Sequence, residues 1–334
     1  MKAILYQRES GAVLRDVPVP SIAKGEALVA VDACGLCGTD LMKLAQRPER
    51  AVLGHEVAGR VAAIGRGARG LKEGDRVVVA HHVPCGRCHY CERESPSMCR
   101  QFKATNIDPG GFSEYLRASA LHVRHTVLKI PKKLDSFQAT QTEPLACCLR
   151  NVKRLRSREG DVVGIIGLGA IGLMTAQLLK ARGARVLGLD LDARRAAALK
   201  PFGRGFAGAE EMETAVFKES AGRGLDALVL TAGPASSASD RLGWLREGGT
   251  LNVFASFHPS AAPIDLNMIY HRELTVISSY SPGLDDLRES LELIADGTFK
   301  VEALKPKTYA LESFASAEDD VRARKTMKAI IVPK

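Results

Sequence analysis

Cys85, Cys88, Cys91 and Cys99 stand in a C-x2-C-x2-C-x7-C array, and four thiols so close together limit what this chain can become. Zinc binds four thiolates tetrahedrally in structural sites, and gaps of two residues let one turning loop supply neighbouring ligands. The segment PCGRCHYCERESPSMC has no run apolar enough for a buried element, while Gly86 and Pro96 suit a loop. The spacing predicts a metal-bound lobe over residues 85–99. A disulfide framework is the alternative. The opening MKAILYQRESGAVLRDV holds no apolar stretch long enough for an export signal. In a chain without one, metal binding or catalysis is the better use of clustered cysteines. The expectation is therefore a cytoplasmic protein.

A length of 334 residues accommodates two domains of ordinary size. No run approaches the ~20 apolar residues of a membrane span, so no membrane partner is expected. The net charge of +9 suggests nucleic acid. Against that, the basic residues are scattered and aromatics are only 5% of the chain. The densest basic run, Lys153-Arg154-Leu155-Arg156-Ser157-Arg158, reads as a solvated helix end. No nucleic-acid partner is expected.

Residues 1–140 carry glycine turns and short apolar strands, among them Ala27–Ala33, Val57–Ile64 and Arg76–Ala80. The pattern changes near Glu143. Val162–Ile166 is an apolar run, Ala170–Ala181 has helical periodicity, Arg185–Leu189 is a second strand and Asp192–Lys200 a second helix. Strands over Asp226–Thr231 and Thr250–Ala255 follow, with helical stretches between. Such alternation implies a parallel sheet with helices on both faces. Beyond Ser281 a helix over Leu284–Ala295 and a terminal strand over Met327–Val332 are expected, the strand returning to the first domain.

Gly167-Leu168-Gly169-Ala170-Ile171-Gly172 fits G-x-G-x-x-G between a strand and a helix, the context dinucleotide binding requires. Gly167 permits the tight turn, Gly169 admits the pyrophosphate and Gly172 allows close helix packing, while Ala170 and Ile171 open the helix whose free N–H groups face the phosphates. Asp190, after the second strand, suits the adenosine ribose hydroxyls and repels a 2′-phosphate, which favours NAD over NADP. Arg194 and Arg195 keep NADP as an alternative, and Arg195 joins the cofactor-binding set.

Cys37 lies in CGLCGTD, His55 and Glu56 in GHE, and Glu143 in TEPL ahead of Cys147 and Cys148. Thiolate, imidazole and carboxylate all suit zinc, and a catalytic site keeps one position open for substrate. Each residue alone has a structural explanation. Together, between a cysteine lobe and a dinucleotide turn, they point to a second metal.

With these residues in view, the chain resembles the zinc-dependent medium-chain dehydrogenase/reductase family. The matching features are Cys37-Gly38-Thr39-Asp40, Gly54-His55-Glu56, the four-cysteine lobe, Gly110-Gly111-Phe112-Ser113-Glu114-Tyr115, Glu143-Pro144-Leu145 and the Gly167–Gly172 turn, in the family's order. Glu143-Pro144-Leu145 resembles the sorbitol (polyol) dehydrogenase branch. The resemblance implies an α/β protein. A GroES-like, mostly β catalytic domain would span 1–142 and 282–334, and a Rossmann doubly wound parallel-sheet coenzyme domain 143–281. It implies catalytic and structural zinc, and hydride transfer between NAD(H) and a secondary alcohol or ketone: a polyol, sugar or cyclitol, or alternatively a simple alcohol or an L-threonine-like amino acid.

By position, Cys37 and His55 are implied zinc ligands, Glu143 the third, and Glu56 a ligand or neighbour exchanging with water. Two carboxylates and a thiolate would overcompensate the zinc charge. Cys147, four residues after Glu143, is a rival ligand if the stretch is helical. Thr39 corresponds to the proton-relay hydroxyl, and Asp40 to the partner of the second His55 nitrogen. Met42 stands where many members carry a relay histidine, and the short stretch from Asp40 to Gly54 implies an open substrate cleft. A homo-oligomer, dimer or tetramer, is implied as well.

Overall fold

The computed structural model describes residues 1–7, 10–44, 51–234, 236–256 and 264–333. The chain divides into two compact units, Met1–Ala146 with Pro282–Lys334, and Cys147–Ser281. The helix Thr142–Leu155 contains the division point.

The first unit is built on a seven-stranded sheet. Its central strand, Ala27–Leu36, pairs antiparallel along its length with Glu56–Ile64. On its other edge it pairs with Tyr115–Ala118 over its first half and with Ala329–Val332 over its last residues. The alternation in ALVAVD buries Ala27, Val29 and Val31 on one face, as period-two patterning demands. Its end, ACGL, is buried throughout, and there the C-terminal strand docks. Val29, Val57, Val77, Phe112, Leu116 and Ile331 are among the residues of this core. The terminal strand starts at Ala329, two residues later than the sequence suggested, because Ala329 pairs with Leu36, the last residue of the central strand.

The second unit holds a six-stranded, wholly parallel sheet. Its spatial order is Arg204–Phe206, Arg185–Leu189, Val162–Ile166, Leu225–Leu230, Leu245–Val253, Thr275–Ser278. In chain order this is 3-2-1-4-5-6, the doubly wound dinucleotide arrangement. Val162–Ile166 is buried at every residue, which explains its unbroken apolar run. Two expected elements shift. The second helix is shorter, Ala193–Ala198: it starts after Asp192, whose side chain accepts from the Arg194 amide as N-cap, and Leu199 is its C-cap. The strand expected from Thr250 starts at Leu245, which pairs with Leu225 ahead of a register shift.

The lobe expected as a bare loop contains a helical turn, His89–Glu92, and a 3-10 turn, Pro96–Met98. Both are too short to carry an apolar face. No helix among the described residues is long and apolar enough to cross a membrane.

Candidate active site and metal centres

The first unit holds two groups of metal-type donors. Cys85, Cys88, Cys91 and Cys99 place four sulfurs within 4.8 Å of one another. The Cys85 amide donates to Cys99 Sγ at 3.4 Å, and Cys88 Sγ lies 3.6 Å from Cys91 Sγ. Burial, together with the Cys88 bond, pushes the Cys91 thiol up to about 12. Cys99 is also raised by burial, yet the Phe102 and Cys85 amides bring it down to about 6. Four converging sulfurs with amides aimed at one of them suit a tetrathiolate cation site. All eight cysteines are free of disulfides.

The second group is Cys37, His55 and Glu56, again with donor atoms within 4.8 Å. Cys37 follows the central strand, and Glu56 opens the strand beside it, opposite Gly35. Asp40 organises the group. Its Oδ2 accepts from the Cys37 amide at 3.1 Å and its Oδ1 meets His55 Nδ1 at 3.1 Å. That contact leaves Nε2 of His55 for a metal. Burial lowers the His55 pKa, but the Asp40 carboxylate and Cys37 outweigh it and raise the group well above its ordinary value. Asp40 is raised by burial and lowered by more from His55 and the Cys37 amide.

Thr39 Oγ1 donates to Cys37 Sγ at 3.1 Å. Met42 lies in the helix Gly38–Leu44. Much of the stretch from which an open cleft was expected, residues 45–50, falls outside the described residues.

Glu56 is 1% exposed, and its Oε1 meets no hydrogen-bond donor. The other carboxylate oxygen contacts Lys328 Nζ, which is itself buried. Burial lowers the Lys328 pKa, but Glu56, then Cys37 and Glu143, raise it further, so the ammonium stays charged. This lysine escaped the sequence reading. The available signal was a lone cation at the head of an apolar strand, KAIIV. Its charge answers the excess of anionic donors that a zinc ion alone would leave. An orphaned buried oxygen beside a thiolate and an imidazole fits a divalent metal.

Glu143 stands outside this tight group of three. It is buried in the first turn of Thr142–Leu155 and lines small cavities with His81, His82 and Val57. Cys147 lies on the same helix, and Cys148 is buried with its Sγ 3.7 Å from the Ile171 carbonyl.

In the second unit Gly167 has φ +93°, and a Cβ there would sit 2.6 Å from Ala232 Cβ. A Cβ on Gly172 would sit 2.0 Å from the Gly167 carbonyl oxygen, so the helix reaches the turn only as glycine. Over Gly169 the nearest atom is Arg195 Nη1, at 3.6 Å from a Cβ position. Gly169 is the N-cap of Ala170–Ala181, where Ala170 and Ile171 form the first turn, and no side chain caps it. Thr231 Oγ1 pins the turn by donating to the Gly167 carbonyl at 2.7 Å. Asp190 is 8% exposed and its two oxygens accept from the Leu168 and Asp192 amides at 2.8 and 2.9 Å. Arg194 is engaged by Asp192. An open, uncapped helix start beside a fixed carboxylate fits a dinucleotide.

Two family models match the chain: "Alcohol dehydrogenase GroES-like domain" over residues 23–132 and "Zinc-binding dehydrogenase" over residues 170–296. D-arabinitol dehydrogenase 1 of Uromyces fabae is 29% identical over 347 residues, covering 100% of this chain and 97% of the relative. D-altritol 5-dehydrogenase of Agrobacterium fabrum is 33% identical over 299 residues, 84% of each. Among solved structures, the alcohol dehydrogenase of Thermus sp. ATN1 superposes with a TM-score of 0.88 at 26% identity, covering 99% of both chains. With a GroES-like unit, a parallel dinucleotide sheet and relatives of this kind, the chain belongs to the zinc-dependent medium-chain dehydrogenase/reductase family, in its polyol dehydrogenase-like branch.

Proposed function

We propose that this protein oxidises a secondary alcohol of the polyol, sugar or cyclitol class with NAD, and reduces the matching ketone. The observation that carries the reading is the Cys37–His55–Glu56 group with its buried Lys328 counter-charge. Zinc bound there would supply Lewis acidity to a substrate oxygen, and the nicotinamide would exchange the hydride. Cys37 and His55 would hold the metal, with Glu143 as third protein ligand. Glu56, paired with Lys328, would be a further ligand or a neighbour of the metal. Asp40 fixes the imidazole and the Cys37 amide in one orientation. Thr39 would relay the substrate proton, accepting it at Oγ1 while its own hydroxyl proton, now bonded to Cys37 Sγ, passes to the cofactor ribose or water.

Gly167, Gly169, Ala170, Ile171 and Gly172 cradle the pyrophosphate, Asp190 takes the adenosine ribose and Arg195 flanks the phosphates. A carboxylate held by two amides cannot turn away from a 2′-phosphate, which supports NAD over NADP. The lobe holds a second, structural zinc through Cys85, Cys88, Cys91 and Cys99. A cytoplasmic homo-oligomer acting on a small molecule completes the reading.

The test is NADH formation at alkaline pH over polyols, sugars, cyclitols, simple alcohols and L-threonine, with metal measured on the same sample. Turnover of a polyol or cyclitol with about two zincs per chain is expected. Turnover confined to simple alcohols or threonine would move the substrate class. Absence of metal from the Cys37 group in protein never exposed to chelator would overturn the mechanism.

A further inference from the structure

Two adjacent histidines, His81 and His82, lie between the two metal-type groups and belong to neither. Their rings form a ladder. His55 and His81 have centroids 4.8 Å apart, His81 and His82 3.9 Å, and His82 and Phe102 4.5 Å, with interplanar angles of 46°, 44° and 42°. One end is a candidate catalytic ligand. The other end, Phe102, is buried on the helix Arg100–Ala104, whose N-cap is Cys99 of the lobe.

The ladder is anchored at separate points. His122 Nε2 donates to the His81 carbonyl at 2.9 Å, and Ser119 Oγ holds His122 from the other side at 2.7 Å. His82 Nδ1 faces the Thr105 carbonyl. The Val83 amide donates to Thr105 Oγ1 at 2.8 Å, and Gln101 Nε2 to the Val83 carbonyl at 3.3 Å. The segments entering and leaving the lobe are thus zipped together at its neck. His82 sits on that neck, three residues before Cys85.

We infer that this neck makes the two metal sites interdependent: a filled lobe holds His82, His82 holds His81, and His81 walls the face of the His55 ring. His81 and His82 are positioning residues in this account. An empty lobe loses the four-point closure between Cys85 and Cys99, and the neck then frays from its open end. The His55 ring would keep its Asp40 bond but lose its packed wall. Neighbours that orient a metal ligand typically change metal affinity by about 10–100-fold.

The inference rests on the reading of Cys37 and His55 as a catalytic metal site, and metal analysis of the parent protein tests that reading separately. The readouts here are the rate at which the catalytic zinc passes to a chelator, and the visible spectrum of the enzyme with cobalt at that site. His82→Ala, with the lobe still filled, should release the catalytic metal about tenfold faster and shift the cobalt bands. Cys91→Ser, which empties the lobe, should do the same, and the double variant should be no worse than either. His82→Phe keeps the ring while losing the Thr105 contact, and should fall between. Unchanged release and spectrum in His82→Ala, or fully multiplying effects in the double variant, would overturn the coupling. If Cys91→Ser does not fold, the graded series of parent, His82→Phe and His82→Ala decides alone. A parent protein with no metal at Cys37 would remove both readings together.

Discussion

The four-cysteine lobe takes every donor from residues 85–99, whereas the Cys37 group is assembled from strand ends that run from Cys37 through His55 and Glu56 to Lys328. The lobe's donors are alike and carry their own spacing rule. The Cys37 group mixes thiol, imidazole and carboxylate, and needs Asp40 and Lys328 to orient and neutralise them. A local site can fold around its metal. A distributed site depends on the sheet to bring it together, and is correspondingly sensitive to single supports. On the proposed reading, lobe and group would also differ in purpose: four protein donors would close a site, while three would leave a position for substrate.

The sharpest break is Cys37→Ser. It should remove metal from the Cys37 group, leave the lobe filled but, through the coupling at its neck, quicker to lose its metal to a chelator, and lower kcat/KM on the order of 10³-fold. Metal content and turnover on the same sample check it. Loss of both metals from the purified protein would mean that the lobe cannot hold its metal without the Cys37 group. Retained activity with both metals in place would mean that Cys37 is not a ligand.

Next is Lys328→Met. Removing one partner of a buried pair strands the other charge, at about 3–5 kcal/mol. Glu56 is 1% exposed and Lys328 is its ion-pair partner. Urea unfolding of the holoenzyme should show the loss, and Glu56→Gln in the Lys328→Met background should recover part of it. A loss that persists in full in the double variant would show that Lys328 acts by packing instead.

These two variants also mark where the sequence was readable. The lobe, the glycine turn and Asp190 could be recognised because their chemistry is set by neighbours a few residues away. Cys37, His55 and Glu56 could be grouped only by donor chemistry and by family order, since no spacing joins them. Lys328 was invisible because its partner lies across strand pairing: Glu56 opposes Gly35, and Gly35 opposes Ile330. The ring ladder was equally hidden, since His81 and His82 gain their meaning from His55 and Phe102. A helix start erred where a side chain turned to capping, as at Asp192, and the terminal strand start erred where its partner strand ran out, at Leu36.

Asp40→Asn sharpens the contrast at smaller scale. The amide keeps the shape and one acceptor but loses the charge that holds His55 and the Cys37 amide. Metal affinity at the Cys37 group should fall about 10–100-fold, with the lobe's metal unaffected. Competition with a chelator, read at each site, measures both. An equal loss at the two sites would point to general destabilisation.

The smallest expected effect concerns the support behind the ladder. His122 donates from Nε2 to the His81 carbonyl and meets Ser119 Oγ through Nδ1, contacts that satisfy a neutral ring when the hydroxyl donates. Burial lowers its pKa below the ordinary 6.5, more than the His81 contact raises it. No charged neighbour contributes to the shift. Below about pH 6.5 the unfolded chain therefore binds a proton at this residue that the native protein refuses. Its contribution is fully present above that pH and is lost as the pH falls towards the depressed native value. The slope for one such group is at most about 1.4 kcal/mol per pH unit. His122→Gln should cost about 1–2 kcal/mol at pH 8 through the lost hydrogen bonds, and the gap between variant and parent should narrow at pH 5.5. Urea midpoints at the two pH values supply the comparison. A gap of equal size at both would mean that the native ring takes up its proton as readily as the unfolded chain does.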